Sequence, residues 1–293
     1  MKIAVFGKNF SKNFNNSIQL MFDKLIANDA EIWIYKPFYD YIEKELQEQY
    51  VFKGFFSSET DLNDDTDVLL SIGGDGTFLE ASSFVRKKEI PILGINSGRL
   101  GFLANISKEN LAVAIDELLQ KKYKIENRCL IQLCTDFTGF SDFPYALNEF
   151  TIHKRDSSSM ITMQVFLNEQ YLNTYWADGL IISTPTGSTA YSMSVGGPIL
   201  TPDSSNFIIV PIAPHTLTVR PIVIPDIYHI RIHVEGRSKN YMISLDHKNE
   251  VVKSSVDIVL KRAEFTISSI RLDSQNYYTT LRNKLSWGID NRN

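Results

Sequence analysis

The sequence predicts an α/β, Rossmann-like parallel-sheet N-terminal domain followed by an all-β, β-sandwich C-terminal domain. Three observations carry this. Short apolar runs alternate with segments of helical period in the first third, and after about Lys121 the period drops to two. The length of 293 residues also exceeds the roughly 100–200 residues of one ordinary domain.

In the first third, Ile3-Ala-Val-Phe6 has the composition of a short buried strand. Ile18, Met21, Phe22, Leu25 and Ile26 then recur at i, i+3, i+4, i+7 and i+8, one apolar helix face. Residues 31–35 predict a second strand and the Tyr- and Glu-rich stretch 39–50 a second helix. Residues 68–72 and 90–95 are further buried strands, with a helix over 77–88 between them. Leu111, Ile115, Leu118 and Leu119 line a last helix, with Ser107 placed to cap it. Strands alternating with helices give a parallel sheet covered on both faces.

In the second part, residues 160–167 and 171–175 flank the turn residues Asn168-Glu-Gln170 and predict a hairpin. Ile230, Ile232 and Val234 alternate with His229, Arg231 and His233, and Tyr241, Ile243 and Leu245 keep the same period. Residues 207–210 and 256–260 are strand-like as well. The expected domains are 1–122, α/β, and 123–272, all-β. A tail, 273–293, is expected to pack back on the first domain.

Composition excludes several classes. Hydrophobic content of 43% supplies a core, and the net charge of -4 lacks the basic bias of a nonspecific nucleic-acid binder. No nucleic-acid partner is therefore expected. No apolar run reaches the about 20 residues that span a bilayer, so no membrane partner is expected either. Cys129 and Cys134 would point to opposite faces of one strand, which gives neither a disulfide framework nor a shared metal site. That usage fits a reducing cytoplasm.

Gly73-Gly-Asp-Gly-Thr77 lies where a buried strand ends and a helix begins, the place where open α/β sheets bind ligands. Glycines let the backbone approach a ligand, and the free N–H groups of a helix start favour an anion. Gly73, Gly74, Gly76 and Thr77 thus suit a phosphate chain, with one carboxylate, Asp75, beside it. The loop is neither a Walker loop nor a G-x-G-x-x-G fingerprint. The plain alternative is a turn in which Asp75 caps the helix. A second run extends from Asp178 through Thr186, Thr189, Ala190, Tyr191 and Ser194 to Gly196-Gly-Pro198. Its hydroxyls and glycines, after a buried strand, make a polar wall for a nucleoside or sugar. Asn148-Glu149, just before a strand, is the third piece.

Together these blocks resemble the NAD kinase family, from Asp67 to Leu281-Arg-Asn-Lys-Leu-Ser-Trp-Gly288, with the first sixty residues similar in pattern alone. The block from Asp178 to Pro198 is highly specific, whereas Gly-Gly-Asp-Gly is shared with other kinases. The resemblance implies a phosphotransferase with an alcohol acceptor. It would move the terminal phosphate of ATP to the 2′-hydroxyl of the adenosine ribose of NAD, giving NADP and ADP. By the same resemblance Asp75 is the general base at that hydroxyl, with Gly76 beside it. Asn148 and Glu149 contact ribose hydroxyls and nearby phosphates, and Asp178 binds the nicotinamide end. Thr186, Thr189, Ala190, Tyr191 and Ser194 surround the nucleosides. Phe102 forms an aromatic wall between the domains, and Ala213 is a further contact. The resemblance also implies a cytoplasmic homodimer or homotetramer with shared sites, and Mg2+ that arrives with ATP rather than a protein-held metal.

Trp176 departs from the arginine that some bacterial relatives carry there, and Lys248 stands at a variable position; neither receives a role. A lipid kinase of the diacylglycerol type shares Gly-Gly-Asp-Gly-Thr but follows it with Gly-Thr-Gly-Asn-Asp. This chain has Leu93-Gly-Ile-Asn-Ser-Gly-Arg-Leu-Gly-Phe102 instead. A phosphofructokinase would need a downstream acidic sugar motif, which is absent. A nucleotide-binding regulator without turnover stays open on sequence alone. His229 and His233 read as exposed strand residues, His215 as structural, and Arg86-Lys-Lys88 as a solvated helix end.

Overall fold

The structure, a computed structural model, describes residues 1–46, 50–155, 160–235, 240–253 and 257–288. The end of the expected 39–50 helix and Val256 of the expected 256–260 strand lie outside the described residues. Two compact units are present: Met1–Asn127 with the stretch from Ile267 onward, and Arg128–Thr266. The divisions fall inside strands 123–133 and 257–272, not at the expected 122/123 and 272/273. Strand patterning runs through both divisions, so the sequence marks the strands and hides the boundaries.

The first unit is built from β1 (Lys2–Gly7), α1 (Asn15–Ala27), β2 (Glu31–Tyr35), α2 (Lys36–Leu46), β3 (Gly54–Phe56), β4 (Val68–Gly73), α3 (Asp75–Val85), β5 (Ile92–Asn96) and α4 (Leu111–Leu119). The strands pair in parallel in the order β3-β2-β1-β4-β5. Apolar runs explain why. Every residue of β4 and β5 is buried, as a sheet covered on both faces requires. Ile3 and Val5 pack with α1, α2 and α4, whereas Phe6 points to the other face and meets Phe84 of α3 at 5.0 Å. Ser107 precedes a short 3-10 turn, Lys108–Asn110, and makes no side-chain cap bond. The strand order reverses direction between β1 and β4, so the loop after β4 lies at the switch point.

The second unit contains β6 (Tyr123–Leu133), which starts in the first unit, β7 (Tyr145–Ala146), β8 (Glu149–Lys154), β9 (Ile161–Leu167), β10 (Gln170–Ala177), β11 (Gly179–Ser183), α5 (Tyr191–Ser194), β12 (Asn206–Ile212), β13 (Ile222–Pro225), β14 (Ile230–Glu235), β15 (Asn240–Leu245), β16 (Lys248–Lys253) and β17 (Asp257–Leu272). One antiparallel sheet runs β10-β9-β14-β17 and the other β13-β12-β11-β8-β15-β16. Met163, Val165, Ile230 and Ile232 of the first share one core with Phe150, Ile152, Leu180 and Ile182 of the second, which makes a sandwich. Alternation leaves Glu149, Thr151 and His153 on the outer face of the second sheet. There Ile181, Ile208 and Val210 pack against Val195 and Leu200, so the segment after β11 covers that face. The chain closes with α6 (Tyr277–Leu285), whose Lys284 donates to the Leu100 carbonyl within the first unit. Among the described residues no helix is long and apolar enough to cross a membrane.

Candidate active site

In the first unit the glycine loop leaves β4 beside the end of β1, where the Lys8 N–H donates to the Ile72 carbonyl at 3.2 Å. Gly74 is the N-cap of α3 and Asp75 its first residue. A Cβ on Gly73 would lie 2.2 Å from Thr77 Oγ1, so glycine is required for the turn to close on Thr77. Gly74 and Gly76 have nothing within 4 Å of where a Cβ would stand. Their backbone is open, at the positive end of a helix dipole, as a phosphate requires.

Asp75 does not hold the cap position of α3, which Gly74 occupies. Its carboxylate turns to the loop after β5. Oδ2 accepts from the Phe102 N–H at 2.9 Å, and Oδ1 from Leu103 at 2.9 Å and Ala104 at 2.8 Å. Asn96 organises that loop: its side chain donates to the Arg99 carbonyl at 2.6 Å and accepts from Gly98 N–H at 2.7 Å. Ser97 N–H donates to the Gly73 carbonyl at 3.1 Å. Thus the first unit brings Gly73, Gly74, Asp75, Gly76, Thr77 and Phe102 together.

The second unit builds its own cluster on the outer face of the sheet. β8 and β11 run antiparallel with Glu149 opposite Ser183 and His153 opposite Gly179. The 3-10 turn Thr186–Thr189 and α5 then fold back over β8. Thr184 ties the two segments, its N–H donating to the Asn148 carbonyl at 2.9 Å and its hydroxyl to the Leu147 carbonyl at 2.6 Å. Gly187 rests on Asn148 so closely that a Cβ would sit 2.1 Å from the Asn148 carbonyl oxygen.

Asn148 and Glu149 are buried, and Glu149 Oε2 is enclosed with no hydrogen-bond partner. Burial, and next the nearby Asp246 charge, push the Glu149 carboxyl up to about 8, against a backbone hydrogen bond from Tyr191 that lowers it. An orphaned carboxyl oxygen is costly unless a ligand completes it. The Tyr191 ring stacks on His153 at 5.7 Å, so it spans the face from Glu149 toward the far end of β8. Burial holds His153 below its usual range, with Asp178 acting in the opposite sense.

At that far end Asp178 pairs with Lys154 Nζ at 2.6 Å, and its carbonyl accepts the Lys154 N–H at 2.9 Å. Ala213, at φ 46, follows Ile212, whose carbonyl accepts the Asp178 N–H at 3.0 Å. The five residues of β11 span about 16 Å, the scale of an extended dinucleotide. Sequence reasoning named Asn148, Glu149, Asp178, Thr186, Thr189, Ala190, Tyr191, Ser194 and Ala213, all of which belong to β8, β11 or the segments flanking them and β12. It gave no role to Asn96, which lies in the quoted Leu93–Phe102 block, and it missed Lys154 and His153, whose only sequence signal is their position near a strand end.

An open glycine loop at the switch point of a parallel sheet, and a hydroxyl-rich wall on an antiparallel sandwich, are features suited to a nucleotide-binding protein. Comparison with known proteins narrows the class. The chain matches the ATP-NAD kinase N-terminal domain over residues 42–123 and the ATP-NAD kinase C-terminal domain over residues 147–272. It is 45% identical to the NAD kinase of Cytophaga hutchinsonii and 46% identical to that of Flavobacterium psychrophilum, over 100% of both chains in each case. Yeast NADH kinase complexed with NADH shares the fold, with a TM-score of 0.85 at 20% identity over 100% of this chain and 89% of that one. The chain belongs to the NAD kinase family.

Proposed function

We propose that the chain transfers the terminal phosphate of ATP to the 2′-hydroxyl of the adenosine ribose of NAD, giving NADP and ADP. The observation that carries this reading is the open backbone at Gly74 and Gly76 beside a lone carboxylate, Asp75, at the sheet's switch point. The phosphates of ATP lie on that backbone and the N-terminus of α3. ATP enters with its own divalent cation, Mg2+, which offsets charge on the transferring phosphoryl group. Asp75 takes the proton of the 2′-hydroxyl as its oxygen bonds to the γ-phosphorus. The bond from that phosphorus to the β–γ bridging oxygen breaks, and the electron pair leaves with ADP.

Asp75 meets the ribose hydroxyl when one of its oxygens exchanges a loop N–H for it, since both oxygens accept from the loop after β5. Phe102, on that same loop, moves with the exchange. Asn148 and the neutral carboxyl of Glu149 bind ribose hydroxyls and neighbouring phosphates. Thr186, Thr189, Ala190, Tyr191 and Ser194 receive the nucleosides, and Asp178 and Ala213 the nicotinamide end. The protein works in the cytoplasm as a homodimer or homotetramer with sites shared between subunits.

The test is NADP formation from NAD, ATP and magnesium, read through an NADP-specific dehydrogenase. Sustained production by the folded chain supports the reading. No NADP, with phosphate moved to a lipid alcohol instead, would replace it with the lipid-kinase alternative.

A further inference from the structure

Asp246 follows β15 at the turn into β16, at φ 51. Its carboxylate reaches across to the segment that leads into β8. Oδ2 accepts from the Leu147 N–H at 2.8 Å, and Oδ1 from Asn148 at 2.8 Å and Glu149 at 3.1 Å. Its own N–H donates to the Glu149 carbonyl at 3.0 Å. Successive N–H groups of a pleated strand point to opposite edges. Here three in a row converge on one carboxylate, so Leu147 and Asn148 are held out of strand geometry and Glu149 enters β8 from a fixed start. Thr184 fixes the carbonyls of Leu147 and Asn148 while Asp246 fixes the amides. Every backbone polar group that could let this segment relax into β8 is thereby engaged.

We propose that Asp246 is a positioning residue for the dinucleotide: it sets the backbone that presents the Asn148 and Glu149 side chains, without touching the substrate itself. The inference rests on the reading of Asn148 and Glu149 as ribose contacts. Two further observations point to a ligand here. Glu149 Oε2 is buried and unpartnered, and its carboxyl carries the influence of Asp246 as the second cause of its shift. Burial pushes Asp246 to about 6, opposed by its three backbone donors, so near neutral pH Asp246 is charged while Glu149 keeps its proton.

The groups facing Glu149 are Asp246 from the β15–β16 turn and the Tyr191 N–H from α5; Ser183, opposite on β11, has no charge. His247 and Lys248 continue the turn, with the Lys248 ammonium over the Phe143 ring at 5.8 Å.

Asp246→Asn leaves one acceptor oxygen where there were two, so at least one of the three N–H groups faces an amide NH2. NAD affinity, read by titration calorimetry, is expected to weaken about tenfold, the usual consequence of an unsatisfied buried donor. KM for NAD should rise while kcat and the KM for ATP change far less. Loss of the like charge should also move the alkaline limb of the kcat/KM profile to lower pH. Adding Asn148→Ala to Asp246→Asn should cost less than Asn148→Ala alone, because both act on one contact set.

Asn148→Ala and Glu149→Gln alone separate the two ideas. If these weaken NAD binding while Asp246→Asn binds NAD and titrates like the parent, the positioning role is overturned and the ribose site stands. If Asn148→Ala and Glu149→Gln both bind NAD like the parent, the ribose reading fails and takes the positioning role with it. Should Asp246→Asn not fold, Asp246→Ser, whose hydroxyl still accepts from one donor, is judged by the same outcomes.

Discussion

Gly101 lies so close to Asp75 that a Cβ there would stand 2.0 Å from the carboxylate Oδ1. The contact belongs to the arrangement in which Phe102, Leu103 and Ala104 donate to that carboxylate, and a glycine is what lets the loop come down onto it. The loop and the acid are therefore one unit.

Gly101→Ala should force either the loop or the Asp75 side chain to move. We expect kcat to fall by about tenfold or more, since misplacement of a reacting group by about 1 Å can cost a hundredfold. Steady-state kinetics beside a melting curve check this. Loss of turnover with a melting temperature near the parent's locates the effect in the geometry of Asp75.

The Lys154–Asp178 pair makes a charge prediction. Lys154 neutralises Asp178, and both side chains remain partly exposed. Lys154→Met would leave Asp178 uncompensated, at the position proposed for the nicotinamide end. That favours the cationic ring of NAD over the neutral ring of NADH by about twofold to fivefold, the range of a partly exposed ion pair. The ratio of KM values for NADH and NAD reads it directly, and an unchanged ratio would remove Asp178 from the nicotinamide end.

Stability should depend on pH through Glu149. Its carboxyl holds a proton up to about 8 in the folded chain and releases it near the ordinary 4.5 when unfolded. Between those values the native state carries a proton that the unfolded state lacks. This contribution is complete below the lower value and is lost as pH rises through the upper one. The parent should therefore lose about 5 °C or more in melting temperature between pH 5 and pH 8 in the absence of nucleotide. Glu149→Gln, which cannot ionise, should flatten the decline. Equal slopes in the two proteins would show that Glu149 does not titrate in this window.

The parts of this molecule that were legible in the sequence are those with a local signature. Residues 68–72 read as a doubly covered strand because they form a short apolar run, which the structure buries throughout, and Gly-Gly-Asp-Gly at its end exposes backbone in a way few other residues could. The run from Thr186 to Ser194 declares itself by its hydroxyls. α2 was expected from Tyr39 but starts at Lys36, since Pro37 is tolerated in a first turn and gives no stop there. The domain boundaries were hidden inside single strands, which carry one pattern through both units. Least legible were Lys154 at Asp178 and the clamp of Asp246 on residues 147–149. The first lacks any pattern, and the second joins residues nearly a hundred positions apart.

The most direct measurement is a single-turnover comparison of the parent with Asp75→Asn, with NAD and magnesium-ATP bound before the reaction is followed. The substituted amide keeps the size of the side chain and one acceptor oxygen but takes no proton, and its NH2 faces at least one loop N–H, so the affinity for NAD is measured beside the rate. If Asp75 is the base at the ribose hydroxyl, NADP forms about 10²–10⁴ times more slowly in the variant while the affinity for NAD stays within a few fold. Equal rates in the two proteins would contradict it and leave Asp75 as the anchor of its loop alone.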